Sequence, residues 1–529
     1  MGAAVIRATS TGSSRTALRW RVRSGNPIMN RFRAILLLIV AAHLVAFQTS
    51  EPFYINDETR HVMTGAFFHD LVADGSFQNV KQYATNYYNQ YPALGLLVWP
   101  PLFHLIEGLW MMLFGLSITS SKLLVLLFLA IACGFLYRIA RLTSSTEQSL
   151  LTIALFAFSP MVFELSSQVM LEIPTLAFAL ASIYFFLLYL RSQAVTSLAA
   201  AAAFAVGCAM TKYDAYYLLV LFPLLMAGPN ALQILKRKHV WVVVALSLIA
   251  VTPMAYLTVR EMGAVHWNTI QASGAGQQSN WIYYLVSVPL QTGWLTLLLA
   301  LTGLGLCSRR ETWQRMRPYL AMIAATYFSF APVAEQELRH TIYWLPAFAA
   351  LAVEGFYWLT RNLIEPRRRY VEATFAAIIL FTVLLRPTSY VHGYQQAANY
   401  ILHQSGAQKV FFDGYLNGNF IYQMRRLDPL RQSAIVRGDK VLYHAVSGSK
   451  QNGYIEYATS RESILQTLAS NTSRFIVVES RSYDEGLAVA DKLREILLDT
   501  SRFHRVAVFP VDTNVKRLKG LTIEIYEQL

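Results

Sequence analysis

Two neighbouring carboxylates, Asp57 and Glu58, follow the first long apolar stretch of the chain and are followed in turn by Arg60 and His61. Adjacent carboxylates disfavour each other's ionisation unless cations lie nearby, and Arg60 and His61 could serve as those cations. A carboxylate in this setting could act as a general base on a hydroxyl or an amine. The structural alternative is that Asp57 caps a helix that begins at Glu58.

Other ionisable residues lie at the predicted ends of apolar stretches, where charge is costly and therefore indicates function. Glu172 stands alone among apolar neighbours, although the dipole at a helix N-terminus would also favour it. Lys212 lies in a charged turn and could bind a substrate phosphate or extend to lipid phosphates. Arg339 and His340 come later, and an arginine can make two parallel hydrogen bonds to phosphate. His266 is a weaker candidate.

Composition places these residues in a multi-pass membrane protein. The chain of 529 residues is 55% hydrophobic and only 14% charged, with a mean hydropathy of +0.36. Apolar stretches recur at the length that a helix needs to cross the hydrocarbon core, where only helices satisfy the backbone of such segments. The first stretch has a basic front but no small-residue cleavage pattern after it, so we expect a retained anchor rather than a secretory signal.

Clusters of Lys and Arg predict the orientation, because they accumulate in cytoplasmic loops. The basic residues 1–33 are predicted to be a cytoplasmic tail, and later basic clusters alternate with pairs of spans. This pattern gives about eleven spans and an external C-terminus. It also explains the net charge of +14 without nucleic acid. The later predicted spans are about 149–165, 172–190, 197–210, 213–228, 240–259, 281–306, 319–334, 341–360 and 370–386.

The stretch Pro92 to Phe114 is also apolar enough to span, but a span there would invert every later basic cluster. We therefore predict an amphipathic helix that lies in the outer interface. His104 and Glu107 are three residues apart and would share its polar face. The first external loop then runs from about 51 to 118 within a transmembrane domain of residues 34–386.

The composition becomes more polar after residue 386, and short β-like runs appear. Residues 387–529 are therefore predicted to be an extracytoplasmic (periplasmic) α/β domain of ordinary size. The β-like runs are Lys409–Phe412, Arg474–Glu479 and Arg505–Val511, with a helical stretch at Ala488–Leu498.

These placements put carboxylates and cations on one side of the membrane, near the lipid headgroups. That arrangement suits transfer of a group from a lipid phosphate, with a carboxylate as base and cations that stabilise the departing phosphate. The chain shows no His/Asp ligand spacing, so we expect neither a metal nor another cofactor. A multi-pass transporter or lipid flippase is the alternative, but it would place its ionisable residues near the bilayer midplane. A catalytically inactive assembly or receptor subunit is a third possibility.

Taken in order, these landmarks resemble the GT-C type membrane glycosyltransferases of the protein O-mannosyltransferase-like group, which includes the aminoarabinose transferases that modify bacterial lipid A. The resemblance covers most of residues 33–360. It implies an inner-membrane enzyme that moves a sugar, with inversion, from a dolichyl- or undecaprenyl-phosphate donor to a lipid, glycan or protein acceptor. The landmarks are Asp57-Glu58, Trp99-Pro100-Pro101-Leu102, Leu113-Phe114-Gly115, Glu172, Thr211-Lys212-Tyr213 and Arg339 with Tyr343-Trp344-Leu345-Pro346.

The resemblance also implies roles for residues. Asp57 matches the residue that serves as the catalytic base or as an essential site acid, and Arg339 and Tyr343 match positions near the donor phosphate. Two positions depart from the pattern, because Trp99 stands where aminoarabinose transferases have Lys and Glu172 stands where many relatives have Asp. The predicted catalytic residues are Asp57, Glu58 and Glu172. The predicted ligands of the donor phosphate are Arg60, Lys212, His266, Arg339, His340 and Tyr343.

Overall fold

The computed structural model describes residues 27–45, 47, 56–228, 231–274, 279–333, 336–404, 409–445, 454–482 and 487–529. For residues 262–274 it describes the helical backbone only. The predicted site residue His266 therefore has a side chain that lies outside the described part of the chain.

The amino-terminal two-thirds of the described chain folds into α-helices packed side by side, with two 3-10 helices at Tyr213–Tyr216 and Leu338–Trp344. The α-helices are α1 (Pro27–Val45), α2 (Asn56–Ala73), α3 (Val80–Gln90), α4 (Leu102–Phe114), α5 (Ile118–Arg141), α6 (Thr146–Ala157), α7 (Pro160–Ser166), α8 (Glu172–Ser192), α9 (Val195–Ala209), α10 (Tyr217–Met226), α11 (Ala231–Leu235), α12 (Lys238–Gly274), α13 (Tyr283–Thr292), α14 (Trp294–Leu306), α15 (Arg310–Phe330), α16 (Leu345–Leu359) and α17 (Glu365–Leu384).

Helix ends follow local capping chemistry. The Ser117 hydroxyl accepts a hydrogen bond from the Ser120 N–H at 3.1 Å and begins α5. Ser145 and Gln148 form a reciprocal capping box that begins α6. Such caps satisfy amide groups that a helix cannot pair internally. The short turn between α5 and α6 therefore reverses the chain and brings two apolar helices side by side.

Several helices are long and apolar enough to cross a membrane. Within the described ranges, five helices qualify by length and composition, or up to seven if each of two bent helix pairs is one span. Helices α9 and α10 are shorter, and α15 and α17 begin with arginines that lower their hydropathy. Each predicted span nevertheless coincides with a helix or a bent pair, while the predicted number of about eleven crossings stays a prediction.

Two predicted spans are broken rather than straight. The helices α6 and α7 meet at an angle of 64°, where Ser159 and Pro160 interrupt the helical hydrogen bonds. The helices α13 and α14 meet at 116° on Gly293, whose φ of 80° suits glycine. The predicted spans 149–165 and 281–306 therefore each correspond to a bent pair of helices.

The predicted interfacial helix is shorter than expected and turns its polar residues inward. Only Leu102–Phe114 is helical, and His104 and Glu107 are both buried against α2. Gly108 permits this approach, since a Cβ there would lie 2.8 Å from the His69 amide nitrogen. The apolar side chain of Leu113 is exposed instead. His104 and Glu107 thus lie on one face of the helix, as predicted, but that face packs against α2.

The carboxy-terminal part forms a five-stranded sheet flanked by helices, in the order β3 (Ala434–Arg437), β2 (Lys409–Asp413), β6 (Phe475–Glu479), β9 (Thr522–Gln528) and β7 (Phe503–Pro510). Strands β3, β2 and β6 are parallel, and β9 is antiparallel to both β6 and β7. All three predicted β-like runs and the predicted helix are confirmed. The elements are β1 (Val391–His392), α18 (Tyr394–Leu402), β2 (Lys409–Asp413), α19 (Asn417–Leu427), β3 (Ala434–Arg437), α20 (Gly438–Val441), β4 (Tyr443–Ala445), β5 (Tyr454–Glu456), α21 (Arg461–Asn471), β6 (Phe475–Glu479), α22 (Ala488–Leu497), β7 (Phe503–Pro510), β8 (Asp512–Thr513) and β9 (Thr522–Gln528).

This α/β region rests on α2 through buried ion pairs. The Arg425 Nε donates to Asp70 Oδ2 at 2.9 Å, and both side chains are buried. Burial alone would raise the pKa of Asp70, but hydrogen bonds from His69, Arg425 and Tyr87 lower it to about 2. The contact continues toward the N-terminus of α2, where the side-chain Nδ2 of Asn56 donates to the backbone carbonyl of Tyr415 at 3.1 Å. The sheet region therefore fixes the helix that begins with the Asp57-Glu58 pair.

Candidate active site

Asp57 occupies the first turn of α2 and is paired with a cation from a distant part of the chain. The Arg339 Nη2 donates to Asp57 Oδ2 at 3.0 Å. Arg60, one turn along α2, approaches the other carboxylate oxygen at 3.5 Å. Glu337 binds the Arg339 Nε. Arg339 is thus held in a fixed orientation at the N-terminus of α2, and the 3-10 helix from Leu338 to Trp344 brings it there.

A second ion pair lies directly behind the first. The Lys212 Nζ donates to Glu172 Oε1 at 2.8 Å and lies 2.7 Å from Asp214 Oδ2. The same Glu172 oxygen is 3.7 Å from the Arg339 Nε. Glu172 is buried at the start of α8, while Lys212 and Asp214 come from the turn between α9 and α10. One network of opposite charges therefore joins four separate segments of the chain.

An aromatic wall closes one side of this network. The Tyr343 hydroxyl donates to Asp214 Oδ2 at 3.4 Å, and its ring stacks on Tyr217 with centroids 4.4 Å apart. His340 stacks on Phe330, with its Nδ1 3.5 Å from the Tyr284 hydroxyl. These rings pack the 3-10 helix against its neighbours, so the polar groups it carries hold their positions.

Glu58 points away from the carboxylate of Asp57. Its Oε1 accepts a hydrogen bond from the Val169 N–H at 2.9 Å, and the side chain is fully buried. Burial raises the pKa of Glu58 to about 7, despite the opposing attraction of Lys122 and the hydrogen bond from Val169. Neighbouring residues of a helix project about 100° apart, which explains why the pair divides between two environments. Glu58 contacts the segment before α8 rather than the Asp57 carboxylate.

His61 lies in a buried cluster with His104 and Trp99, rather than beside the carboxylates of Asp57 and Glu58. Its Nδ1 lies 3.0 Å from His104 Nε2, and its ring packs on Trp99 with centroids 4.4 Å apart. Burial lowers the pKa of His61 to about 3, so the ring is neutral near neutral pH. The interpretation of His61 as a cation for the acidic pair was wrong, because α4 and Trp99 exclude water from it. Trp99 packs on the His61 ring and offers no cation at the position where aminoarabinose transferases have Lys.

The structure therefore brings together most of the predicted site. Asp57, Arg60, Glu172, Lys212, Arg339 and Tyr343 join through direct contacts, and His340 lies on the same 3-10 helix. Glu58 follows Asp57 in the sequence, but its carboxylate bonds to Val169 rather than to the residues of this network. Asp214 and Glu337 complete the network although they were not predicted as site residues. Their signal was their spacing, since each lies two residues from a predicted cation.

The charge balance of the network indicates what it can do. Within the described residues, four carboxylates face three cations. Asp57 is 23% exposed and Glu172 only 1% exposed, so a substrate can reach Asp57 but not Glu172. No group of three or more metal-ligating side chains gathers in the described part of the chain. The geometry offers two accessible carboxylates, Asp57 and Glu337, beside cations able to bind a phosphate.

Comparison with known proteins gives one family match. Residues 98–257 match the family model of dolichyl-phosphate-mannose-protein mannosyltransferases. That segment includes Glu172 and Lys212 but neither Asp57 nor Arg339. No curated protein matches the chain by sequence.

Solved structures share the fold across nearly the whole chain. ArnT from Cupriavidus metallidurans bound to undecaprenyl phosphate has a TM-score of 0.59 at 15% identity, covering 94% of this chain and 100% of ArnT. Its apo state has a TM-score of 0.55 at 14% identity, covering 93% and 98%. The archaeal oligosaccharyltransferase AglB from Archaeoglobus fulgidus, in complex with an inhibitory peptide and a dolichol-phosphate, has a TM-score of 0.53 at 9% identity, covering 85% and 70%.

These matches confirm the predicted fold class. The chain is an integral membrane protein, mainly α-helical, with a carboxy-terminal α/β region. It has the GT-C fold that it shares with ArnT and AglB, and its segment 98–257 resembles the protein mannosyltransferases.

Proposed function

We propose that the chain is an inverting glycosyltransferase that moves a sugar from a polyprenyl-phosphate donor to an acceptor at the extracytoplasmic face of the membrane. The observation that carries this proposal is the ion pair between Asp57 and Arg339 at the N-terminus of α2. It places a partly exposed carboxylate beside a cation that can bind phosphate. The relatives solved with undecaprenyl phosphate or dolichol-phosphate support a donor of this class.

An apolar groove next to the site fits the lipid part of such a donor. The groove has a volume of about 500 Å³ and lies between α13, α14, α15 and α16. Its wall includes Leu297, Leu304, Ile323, Phe348 and Trp344. Trp344 directly follows Tyr343, so a prenyl chain in this groove would bring its phosphate toward the network of Arg339 and Lys212. Branched apolar chains bind in such grooves through the hydrophobic effect.

The reaction follows from the positions of the charged groups. Asp57 accepts the proton of the acceptor nucleophile, which forms a bond to the anomeric carbon. The bond between that carbon and the phosphate oxygen breaks, and polyprenyl phosphate leaves with both electrons. Arg339 and Lys212 stabilise the negative charge on the leaving phosphate. A single displacement of this kind inverts the anomeric configuration.

Glu172 serves as a positioning residue in this proposal. It is fully buried and bonds to Lys212, and it lies near Arg339. A buried carboxylate between two cations holds both of them in place, and its removal would leave their charges uncompensated. Tyr343 extends the same role through Asp214.

The orientation of the protein is part of the proposal. Arg138, Arg141 and Arg191 lie at the ends of α5 and α8 opposite to the Asp57 end of the bundle. Basic residues mark the cytoplasmic end of membrane helices. The active site and the α/β region would then face the periplasm of an inner-membrane protein.

A transfer assay tests the proposal. The purified full-length protein would be incubated with a labelled undecaprenyl-phosphate sugar and a membrane extract as the source of acceptors. We expect labelled product whose anomeric configuration is opposite to that of the donor. Retention of configuration would contradict the single displacement. Passage of intact labelled lipid across a vesicle membrane, without transfer, would support the transporter alternative.

A further inference from the structure

A second cavity lies at the same end of the helix bundle as the active site. It has a volume of about 290 Å³ and lies between α5, α7 and the segment that follows α17. Gln168 lines this cavity, and the next residue, Val169, donates to Glu58. The cavity is therefore close to the active site but is formed by other residues than those of the Asp57–Arg339 network.

The lining of the cavity carries charges of both signs. Lys122 lines the cavity and is only 2% exposed, whereas Arg386 and Glu164 are exposed. Arg386 and Glu164 attract each other across the cavity. Pro160 and Phe163 add an apolar wall. A ligand that fits must offer both an anionic and a cationic group, because a simple anion would face the carboxylate of Glu164.

A buried acceptor in the wall indicates what else the ligand must provide. The side chain of Gln168 is nine-tenths buried, and its Oε1 has no hydrogen-bond partner among the residues that the structure describes. Buried carbonyl oxygens in proteins are nearly always paired, because an unpaired one loses its hydration without compensation. A ligand with an N–H group would satisfy it.

We infer that this cavity binds the phosphoethanolamine headgroup of a membrane phospholipid. The phosphate would lie between Lys122 and Arg386, and the primary ammonium would donate to Gln168 Oε1 and to Glu164. The acyl chains would leave past Pro160 and Phe163 toward the lipid. Cationic side chains form strong hydrogen bonds to a phosphate, and here the carboxylate and the amide select for an amine. The binding does not depend on the proposed transferase activity.

Binding of a short-chain phosphatidylethanolamine tests the inference. The lipid would carry a fluorophore on one acyl chain, and its anisotropy would be measured with the full-length protein in detergent. We expect tighter binding than for matched phosphatidylcholine and phosphatidylglycerol probes. Arg386→Gln and Gln168→Leu should each weaken binding about tenfold, because each removes a hydrogen bond to a charged group. Arg361→Gln, an exposed arginine at the opposite end of the bundle, is the matched control and should bind as wild type does.

Two further measurements test the selectivity of the cavity for the headgroup and its independence from the Arg339 site. Glu164→Gln should remove the preference for phosphatidylethanolamine over phosphatidylglycerol, since it removes the negative charge that selects the amine. Undecaprenyl phosphate should not displace the probe, because it belongs to the Arg339 site. Equal affinity of wild type for all three probes would overturn the inference. Displacement by undecaprenyl phosphate, or an effect of Arg386→Gln no larger than that of Arg361→Gln, would do the same.

Discussion

Replacing Arg339 by Gln should weaken the binding of undecaprenyl phosphate far more than replacing Arg60 by Gln. Arg339 is 21% exposed and Arg60 is 40% exposed, and their closest distances to Asp57 are 3.0 Å and 3.5 Å. A hydrogen bond to a charged group contributes about 1.5–3 kcal/mol, or roughly a 10- to 150-fold change in affinity. An exposed ion pair contributes at most about 1 kcal/mol, or roughly fivefold.

The assay is equilibrium binding of undecaprenyl phosphate to the full-length variants in detergent. Arg339→Lys should fall between wild type and Arg339→Gln, since a lysine keeps the charge but not the two parallel hydrogen bonds. Thermal unfolding of each variant would show that the loss is not a loss of fold. If Arg339→Gln and Arg60→Gln lost affinity equally, or neither lost any, the assignment of Arg339 to the donor phosphate would be refuted.

Three other predictions follow from the same contacts. Arg425→Ala should destabilise the protein by about 3–5 kcal/mol, because it leaves Asp70 buried without its partner. Arg461→Ala, which breaks an exposed ion pair, should destabilise it by less than about 1 kcal/mol. Chemical or thermal unfolding of the two variants measures the difference. Burial raises the pKa of Glu58 to about 7, so Glu58 contributes less stability as pH rises from about 4.5 through 7. The stability of Glu58→Gln relative to wild type should therefore increase between pH 5 and pH 8, and a pH-independent difference would contradict the burial of an ionisable Glu58. A cysteine at the exposed position Thr500 should react with an impermeant thiol reagent from outside intact cells. A cysteine at the exposed position Ser192 should react only after permeabilisation. The reverse pattern would contradict the proposed orientation.

The sequence alone predicted the elements well, for physical reasons. Hydropathy over about 20 residues reports burial in lipid, so apolar helices such as α8 and α16 were predicted near their observed bounds. Alternation and β-branched runs likewise located β2, β6 and β7. Bends were missed, because a hydropathy average does not register the interruption at Pro160 or the positive φ of Gly293.

The site was predicted as a set of residues but not as a set of contacts. The ion pair of Asp57 with Arg339 joins residues 282 positions apart, and no local pattern reports such a distance. Asp57 is partly exposed and Glu58 is buried because only the Glu58 side of α2 packs against the segment before α8. His61 was misread for the same reason, since its burial by Trp99 and His104 is a tertiary effect.

The role of Asp57 as the base is tested most directly by one comparison of transfer rates. Asp57→Asn and Asp512→Asn would be assayed with labelled undecaprenyl-phosphate sugar at saturating donor, where Asp512 is a 71% exposed carboxylate in the α/β region. Loss of a general base typically lowers the rate by about 10²–10⁴-fold. We expect a loss of that size for Asp57→Asn, with wild-type rates for Asp512→Asn and unchanged binding of undecaprenyl phosphate to both. Transfer by Asp57→Asn at the wild-type rate would contradict the proposed mechanism.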